Sequence, residues 1–338
     1  MTKKIWKKVK YLKRISDLNL LSSWHSFDLK CIQNNTKKIN KKDIICFVTL
    51  RNEAFRIQFF LKYYRQLGVK HFCFVDNNST DNFLELVRGE KDCSVWYTKA
   101  SYKKSNFGMH WLNYLLRKYG TGHWCLTVDP DELLVFPNIE NRNLIELTEF
   151  LDSEKRESLF CLMLDMYSKG KIAEAHCLPE QNPLEVTPFF DANGYVQKVN
   201  PEHWDVFTQG GPRRRVIFKD NPEKSPAMNK TPLIKWQWHY NYISSMHCAL
   251  PKRLNRAHDK HHVTVTGCLL HFKFLSVLEQ KAKEEIERKE HYDNSIEYKK
   301  YNKFIDDESD DLYYSGSKEF RNSQQLVELG LMNKGQWF

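Results

Sequence analysis

The chain has 338 residues, 41% hydrophobic and 14% aromatic, with a formal net charge of +10 and a pI near 9.0. This composition excludes a disordered polypeptide and allows one large core, with or without a smaller appended lobe. The positive charge indicates an anionic partner, a class that includes nucleic acid, acidic lipid head groups and sugar diphosphates.

The nine cysteines show no C-x-x-C pair and no metal-ligand spacing. Cys46, Cys73 and Cys125 lie inside apolar runs typical of strands, where a free thiol behaves as a small buried hydrophobe. We therefore expect reduced cysteines and a cytoplasmic location.

Residues 1–42 form a basic N-terminal segment. It has no apolar core or cleavage site of a secretory signal, and no run of about 18 apolar residues follows, so we expect no transmembrane segment. On a helix, Ile5, Val9 and Leu12 would line one side opposite several lysines. That pattern would suit peripheral contact with the inner membrane leaflet. A solvated basic tail that docks loosely on the main domain is the slightly favoured interpretation, since short basic amphipathic stretches are common.

From residue 43 onward, short apolar runs alternate with helical patterns. Strands are predicted over 44–50, 71–75, 94–97 and 124–128, and helices over 53–67, 83–87 and 108–119. This alternation indicates an α/β protein with a doubly wound, mostly parallel sheet. Polar clusters follow three of the strands, at 49–53, 76–81 and 129–132. Because ligands bind at the carboxyl ends of such strands, one pocket should collect all three clusters.

The pattern weakens after Leu133. We predict a helix over 143–151, a buried strand over 159–164, an irregular stretch over 170–229, a strand over 264–274 and a helix over 278–290. So long a loop is usually functional or mobile. The chain divides into the basic segment 1–42, a main domain over 43–275 and a C-terminal helical extension over 276–338 packed on it.

Asp129 and Asp131 follow an apolar strand, and Pro130 fixes the turn between them. Two carboxylates in such a turn can hold one hard cation, Mg²⁺ or Mn²⁺, that keeps coordination positions for phosphate oxygens. A cation there stabilises the charge of a departing diphosphate. The alternative is an acidic turn that faces solvent.

Other side chains at the predicted strand ends suit a nucleotide. Asp76 could accept from a base N–H or a ribose hydroxyl, or could form an Asx-turn that caps the next helix together with Ser79. Arg51 and Glu53 face the same pocket, or pair with each other at a helix start.

Arg213 and Arg215 lie two residues apart after a Gly-Gly-Pro sequence. On an extended segment they would point to the same side and bind phosphate oxygens bidentately. The alternatives are a solvated surface and a nucleic-acid patch, and the second lacks the expected interleaved aromatics.

Three motifs resemble those of glycosyltransferase family 2, which has the GT-A fold. Thr49-Leu-Arg-Asn-Glu53 is similar to V-x-x-x-N-E, Asp76-Asn-Asn-Ser-Thr-Asp81 to D-x-x-S-x-D, and Asp129-Pro-Asp-Glu132 to D-x-D. Leu270-His-Phe-Lys-Phe274 and Gly210-Gly-Pro-Arg213 resemble a bacterial branch found among cell-surface polysaccharide genes. The resemblance extends from about residue 43 to the C-terminus.

The resemblance implies a Rossmann-like GT-A domain over 43–275, a nucleotide-sugar donor of the UDP type and a surface-glycan or lipid-linked acceptor. It implies that the metal, Mn²⁺ or Mg²⁺, is held by Asp129, Asp131 and His271. His271 lies between apolar residues on a predicted strand, where a hydrogen-bonded core histidine is the alternative. The residues implied in donor binding are Thr49, Arg51, Glu53, Asp76, Ser79, Arg213 and Arg215.

Enzymes of this family invert the anomeric carbon, which requires a carboxylate to deprotonate the acceptor hydroxyl. The usual Glu-Asp pair downstream of D-x-D is not evident. Asp165 and Asp191 are the candidates, with Glu202 and Asp205 behind them. A structural role is an equal alternative for the first two.

Two other classes of protein stay open. A nucleotidyltransferase would carry a Gly-rich phosphate loop after the first strand, where this chain has Arg51-Asn-Glu-Ala54. A non-catalytic, basic binder of nucleic acid or of a membrane surface would use the positive charge alone. The motifs favour the transferase, with no nucleic acid as partner.

Overall fold

The computed structural model describes residues 2–200, 205–256, 264–290, 292–306 and 310–338. Within these ranges the helices are α1 (Thr2–Trp24), α2 (Ala54–Leu67), α3 (Phe83–Val87), α4 (Met109–Leu115), α5 (Leu144–Ser153), α6 (Leu278–Arg288), α7 (Tyr292–Ile305) and α8 (Ser323–Glu328). The strands are β1 (Lys30–Gln33), β2 (Ile44–Leu50), β3 (Val69–Asp76), β4 (Cys93–Tyr97), β5 (Trp124–Thr127), β6 (Glu132–Val135), β7 (Ser158–Asp165), β8 (Phe189–Asp191), β9 (Val196–Asn200), β10 (Asp205–Gln209), β11 (Asn229–Lys235), β12 (Asn241–Ser244), β13 (Cys248–Leu250), β14 (Gly267–His271) and β15 (Ser317–Glu319).

The central sheet has nine strands among the described residues, in the order β1-β4-β3-β2-β5-β11-β7-β14-β6. Strands β4, β3, β2 and β5 are parallel. Strand β11 is antiparallel to both β5 and β7, and β14 is parallel to β7, so six strands share one direction. Strands β1, β11 and β6 oppose them. The predicted α/β class with a mostly parallel sheet is confirmed, and the sheet is mixed.

Both faces of the sheet are covered, because side chains alternate along each strand. In β2, Cys46 and Val48 join the core beneath α2 and α5, whereas Ile45 and Phe47 join a second core beneath α4. Burial on both faces explains why β2 is a continuous apolar run. Because β2, β3, β4 and β5 are parallel, their carboxyl ends lie side by side at one end of the sheet.

Most predicted elements in the first half occur within two or three residues of the expected bounds. The helix α2 ends at Gly68, whose φ of 105° is the left-handed conformation that glycine adopts at helix C-termini. The predicted irregular stretch from 170 contains the short strands β8 to β10 and several helical turns. Strand β6 and helix α7 were not predicted, because β6 has four residues and α7 is polar over much of its length.

None of the helices in the described part of the chain is both long and apolar enough to cross a bilayer. Cys46, Cys73 and Cys125 are buried free thiols in the sheet, as expected. Glu202 lies outside the described residues, and Asp205 begins β10.

Candidate functional site

A polar cavity of about 290 Å³ opens at the carboxyl ends of β2 and β5. It brings together the acidic turn after β5, the residues that follow β2, and side chains from the second half of the chain. Of the residues singled out from the sequence, those in its lining are Thr49, Arg51, Glu53, Asp129, Asp131, Arg213 and His271. The predicted convergence of strand ends is therefore present for the first and fourth predicted strands. The second contributes Asn77 rather than Asp76.

The acidic turn is held in shape by its own last residue. The backbone N–H of Asp129 donates to the Glu132 carboxylate at 3.2 Å, and the N–H of Glu132 donates to the Asp129 carbonyl at 3.1 Å. Glu132 is fully buried, and burial raises the pKa of its carboxyl group. This turn presents Asp129 and Asp131 to the cavity.

Lys230, on β11, is the cation nearest to the turn. Its Nζ lies 2.7 Å from an Asp129 oxygen and also contacts Glu132. Burial opposes its charge, but Asp129 and Glu132 outweigh burial and raise the pKa of Lys230, so the ammonium stays charged. Burying these charges is tolerable because they are paired.

Asp131 belongs to a second network that continues beneath the cavity. The Nε2 atom of His271 lies 3.4 Å from an Asp131 oxygen, and its Nδ1 lies 2.6 Å from an Asp165 oxygen. The other Asp165 oxygen accepts from Arg213 Nε at 2.8 Å, and Arg213 Nη1 lies 3.3 Å from Glu297. We call this chain of contacts the cavity network.

The charges within the cavity network reinforce one another. Burial opposes ionisation of Asp131 and Asp165, yet His271, with Arg213 in the case of Asp165, holds the pKa of each carboxyl below its usual range. Burial opposes protonation of His271 too, but the two carboxylates outweigh burial and raise its pKa. Both carboxylates are thus ionised at neutral pH.

Strand pairing sets this arrangement. His271 lies opposite Asp165 on β7 and opposite Glu132 on β6, so the three residues are direct neighbours across three strands. Paired residues in a sheet project their side chains to the same face. The three side chains therefore form one row across β7, β14 and β6, at the end of the sheet where β7 and β14 terminate.

Two residues of this row, together with Asp131, could hold a metal ion. Asp131, Glu132 and His271 each offer one ligand atom, and these atoms lie within 4.8 Å of one another. Carboxylate oxygens suit Mg²⁺ and Mn²⁺, whereas an imidazole nitrogen suits softer metals such as Zn²⁺ and Fe²⁺, so the set does not select one metal. The sequence motif pairs Asp129 with Asp131 as predicted metal ligands. In the structure the Asp129 carboxylate contacts Lys230 and is not part of this donor set.

The residues after β2 contact the C-terminal helices. Arg51 Nε lies 2.8 Å from Glu284 of α6, and its Nη1 donates to the Asn77 carbonyl at 3.1 Å. Glu53 accepts from Arg56 at 3.0 Å and also contacts Lys281 of α6. Arg51 and Glu53 therefore form ion pairs with other residues rather than with each other.

Thr49 and Asp76 each carry a buried oxygen that is unpartnered in the part of the chain that the structure describes: Thr49 Oγ1 and Asp76 Oδ2. The other Asp76 oxygen accepts from the Ser79 N–H at 2.9 Å, the Asx-turn anticipated as the alternative. Burial raises the pKa of Asp76. Ser79 accepts from the Asn52 N–H at 3.0 Å rather than capping α3. Neither Asp76 nor Ser79 lines the cavity.

The prediction of an extended segment at Arg213 and Arg215 is wrong, because residues Arg213–Ile217 form a π-helical turn. In a helical turn, side chains two residues apart diverge. Arg215 therefore pairs bidentately with Asp191, at 2.8 and 3.0 Å, away from the cavity. Asp191 accepts from the Tyr167 hydroxyl at 2.5 Å as well. We call these contacts the distal network.

Sequence reasoning missed several side chains of the cavity lining. Lys230 lies in β11, which also contains the polar residues Asn229, Thr231 and Lys235, so the local pattern does not mark it as a buried ion-pair partner. Four more lie on the charged C-terminal helices, where nothing in the pattern distinguishes them from solvated residues. They are Lys281, Glu284, Arg288 and Glu297.

The chain matches no protein-family model, and no curated protein resembles it at significant similarity.

Proposed function

We propose that this protein is a metal-dependent glycosyltransferase that transfers a sugar from a nucleotide-sugar donor, of the UDP type, to a surface-glycan or lipid-linked acceptor. The observation that carries the proposal is the placement of the acidic turn and His271 in one cavity with several cations. Those cations are Arg51, Lys230, Lys273, Lys281 and Arg288. Motifs similar to glycosyltransferase family 2, and a mixed α/β sheet compatible with a GT-A domain, support the same reading.

The cavity has the charge pattern that a metal diphosphate requires. Asp131 and His271 would hold Mn²⁺ or Mg²⁺, with Glu132 beside them, and the bound ion would neutralise the charge of the leaving nucleoside diphosphate. Arg51 is 18% exposed and reaches the cavity, where it can bind a phosphate oxygen. Lys230 holds Asp129 in place and adds a fixed positive charge.

Asp165 suits a positioning role better than the role of general base. Both of its oxygens are occupied, one by His271 and one by Arg213, and the side chain is fully buried. By binding Nδ1 it leaves Nε2 of His271 directed at Asp131, which is how a carboxylate commonly orients a metal-binding histidine. Asp191 is similarly occupied by Arg215 and Tyr167.

A thermal-shift panel of nucleotide sugars with Mn²⁺ tests the proposal. We expect a UDP-type donor with Mn²⁺ to raise the Tm by roughly 5 °C at a hundredfold excess over its Kd, and the donor without metal to have little effect. Asp131→Ala should remove the metal-dependent part of the shift.

Two outcomes would replace the proposal with a rival. Release of pyrophosphate from a nucleoside triphosphate would favour a nucleotidyltransferase. Tight, steeply salt-dependent binding of DNA or RNA, with no shift from any nucleotide sugar, would favour a nucleic-acid binder.

A further inference from the structure

The outward side of α1 carries exposed apolar residues, interleaved with the exposed charged residues Lys10, Lys13 and Asp17. Trp6, Val9, Leu20 and Trp24 are 70%, 59%, 66% and 73% exposed. Trp6 and Trp24 are eighteen residues apart, about five helical turns, and Val9 and Leu20 are eleven apart, about three turns. Val9 follows Trp6 by three residues, so all four lie on one side of the helix. We call these four residues the outer stripe.

The opposite side of α1 is fixed to the domain. Ile15 and Ser22 are buried there, and Arg117, which follows α4, donates to Ser22 Oγ at 2.7 Å and to Asn19 Oδ1 at 2.6 Å. The His25 ring, after the helix, stacks on His110 of α4 with centroids 4.9 Å apart. These contacts fix the orientation of α1, so the outer stripe faces away from the domain. These contacts all come from Ile15 onward, so it is the second half of α1 that is docked by specific side chains.

The charged residues near the outer stripe are basic along the first part of α1. Residues 1–16 contain six lysines and one arginine and no acidic residue, and the first acidic residue is Asp17. Lys10, Lys13 and Arg14 are exposed. Such a surface would repel a second copy of itself across a two-fold axis, but it attracts an anionic layer.

We propose that the outer stripe docks this protein on an anionic lipid bilayer, with α1 lying in the plane of the interface. Tryptophans at both ends of an apolar stripe suit the head-group region, where an indole ring is partly buried and its N–H stays hydrogen-bonded. The lysines would bind lipid phosphates alongside. This inference goes beyond the transfer reaction and does not depend on it.

Vesicle flotation with the full chain tests the docking surface. We expect binding to vesicles of phosphatidylcholine mixed with phosphatidylglycerol, and much weaker binding to phosphatidylcholine alone. Replacing both tryptophans, Trp6→Ser and Trp24→Ser, should weaken binding by at least about tenfold, since each indole loses its burial. The matched control is Leu178→Ser, an equally exposed apolar residue (67%) on another part of the molecule, which should bind as the parent does. Raising the salt from about 0.1 M to about 1 M should also release the protein.

Three results would overturn the inference: no binding to the anionic vesicles, equal binding by the double tryptophan variant, or a lipid-free dimer that this variant dissociates. The last would make the outer stripe an interface between two copies. The thermal shift with donor and Mn²⁺ should be the same in parent and double variant. Failure of docking is thus distinguishable from failure of the proposed reaction.

Discussion

Two buried aspartates pair with arginines from the same helical turn, but only one of them is connected to the cavity. Asp165 contacts Arg213 and, through His271, reaches Asp131 at the cavity. Asp191 contacts Arg215, and neither residue lines the cavity. Both carboxylates are buried and ion-paired, although Arg215 is more exposed than Arg213. A connection to a cavity-lining group, rather than burial or charge, therefore separates the carboxylate that can serve chemistry from the one that supports the fold.

The distal network ends in structural contacts. Arg215 donates to the Leu312 carbonyl at 2.7 Å, and its guanidinium lies 4.0 Å from the centre of the Tyr314 ring. The Tyr167 hydroxyl that donates to Asp191 also lies 2.9 Å from Ser317 Oγ. These contacts attach β15 and its approach to the rest of the domain. Loss of the distal network should therefore affect stability first.

The largest effect is expected from removing the carboxylate at the cavity. Asp131→Ala should lower metal-dependent turnover of the donor at least about a thousandfold, because the charge of the leaving group is no longer offset. The Tm should stay close to that of the parent, since Asp131 lies at the cavity surface. Turnover is measured as release of nucleoside diphosphate. Unchanged turnover would reject Asp131 as a metal ligand.

The converse experiment acts on the distal network. Asp191→Asn should lower the free energy of unfolding by about 3 kcal/mol, because Arg215 loses its counter-charge while partly buried. Urea unfolding measures that loss. Turnover per folded molecule should be retained below the unfolding transition. A variant of normal stability with no turnover would instead make Asp191 the general base.

Asp165 distinguishes positioning from base catalysis. Asp165→Asn should weaken the apparent affinity for Mn²⁺ by about 10- to 100-fold, because His271 is no longer oriented by a carboxylate. The electron paramagnetic resonance signal of free Mn²⁺ measures binding independently of turnover.

At saturating Mn²⁺ the Asp165→Asn variant should recover most of its turnover, and the Asp131→Ala variant should not. Normal Mn²⁺ binding with turnover abolished at every metal concentration would contradict the positioning role and support Asp165 as the base.

The smallest effect on stability is expected from His71, a histidine that belongs to neither network. His71 is buried, its Nε2 lies 2.9 Å from Ser94 Oγ, and burial lowers its pKa to about 4. The unfolded chain therefore binds the proton more tightly than the folded one, so stability is lost as the pH falls from about 6.5 towards 4. At pH 5.5 the loss from His71 should be about 1.4 kcal/mol.

Urea unfolding of the parent and of His71→Gln at about pH 7.5 and pH 5.5 isolates that contribution. The variant should show the smaller loss between the two pH values. His110 and His247, whose pKa values are also lowered to about 4 by burial, act in the same direction in both proteins and cancel in the difference. An equal loss in the two proteins would contradict the prediction.

The first half of the fold could be predicted because its signals are local. The run Ile44–Leu50 is continuous and apolar, and it forms β2 over that span. The helix after it ends at Gly68 as its pattern indicates. Successive parallel strands with short connections leave few possible topologies, so the convergence of their ends follows.

The rest of the site depends on pairings between distant residues. Lys230 meets Asp129 across about a hundred residues of sequence, and Glu284 meets Arg51 across more than two hundred. Nothing local specifies such partners. The π-helical turn at Arg213 also escaped prediction, because the Gly-Gly-Pro sequence before it is typical of an extended segment or a turn.

The row of Asp165, His271 and Glu132 has a consequence for how this chain tolerates insertions and deletions. A shift of one residue in β6, β7 or β14 would turn the side chain concerned to the other face of the sheet, although every residue of the motif would still be present. Exposed loops that do not line the cavity carry no such restriction. Chain length should therefore vary freely in those loops and stay constant within these three short strands.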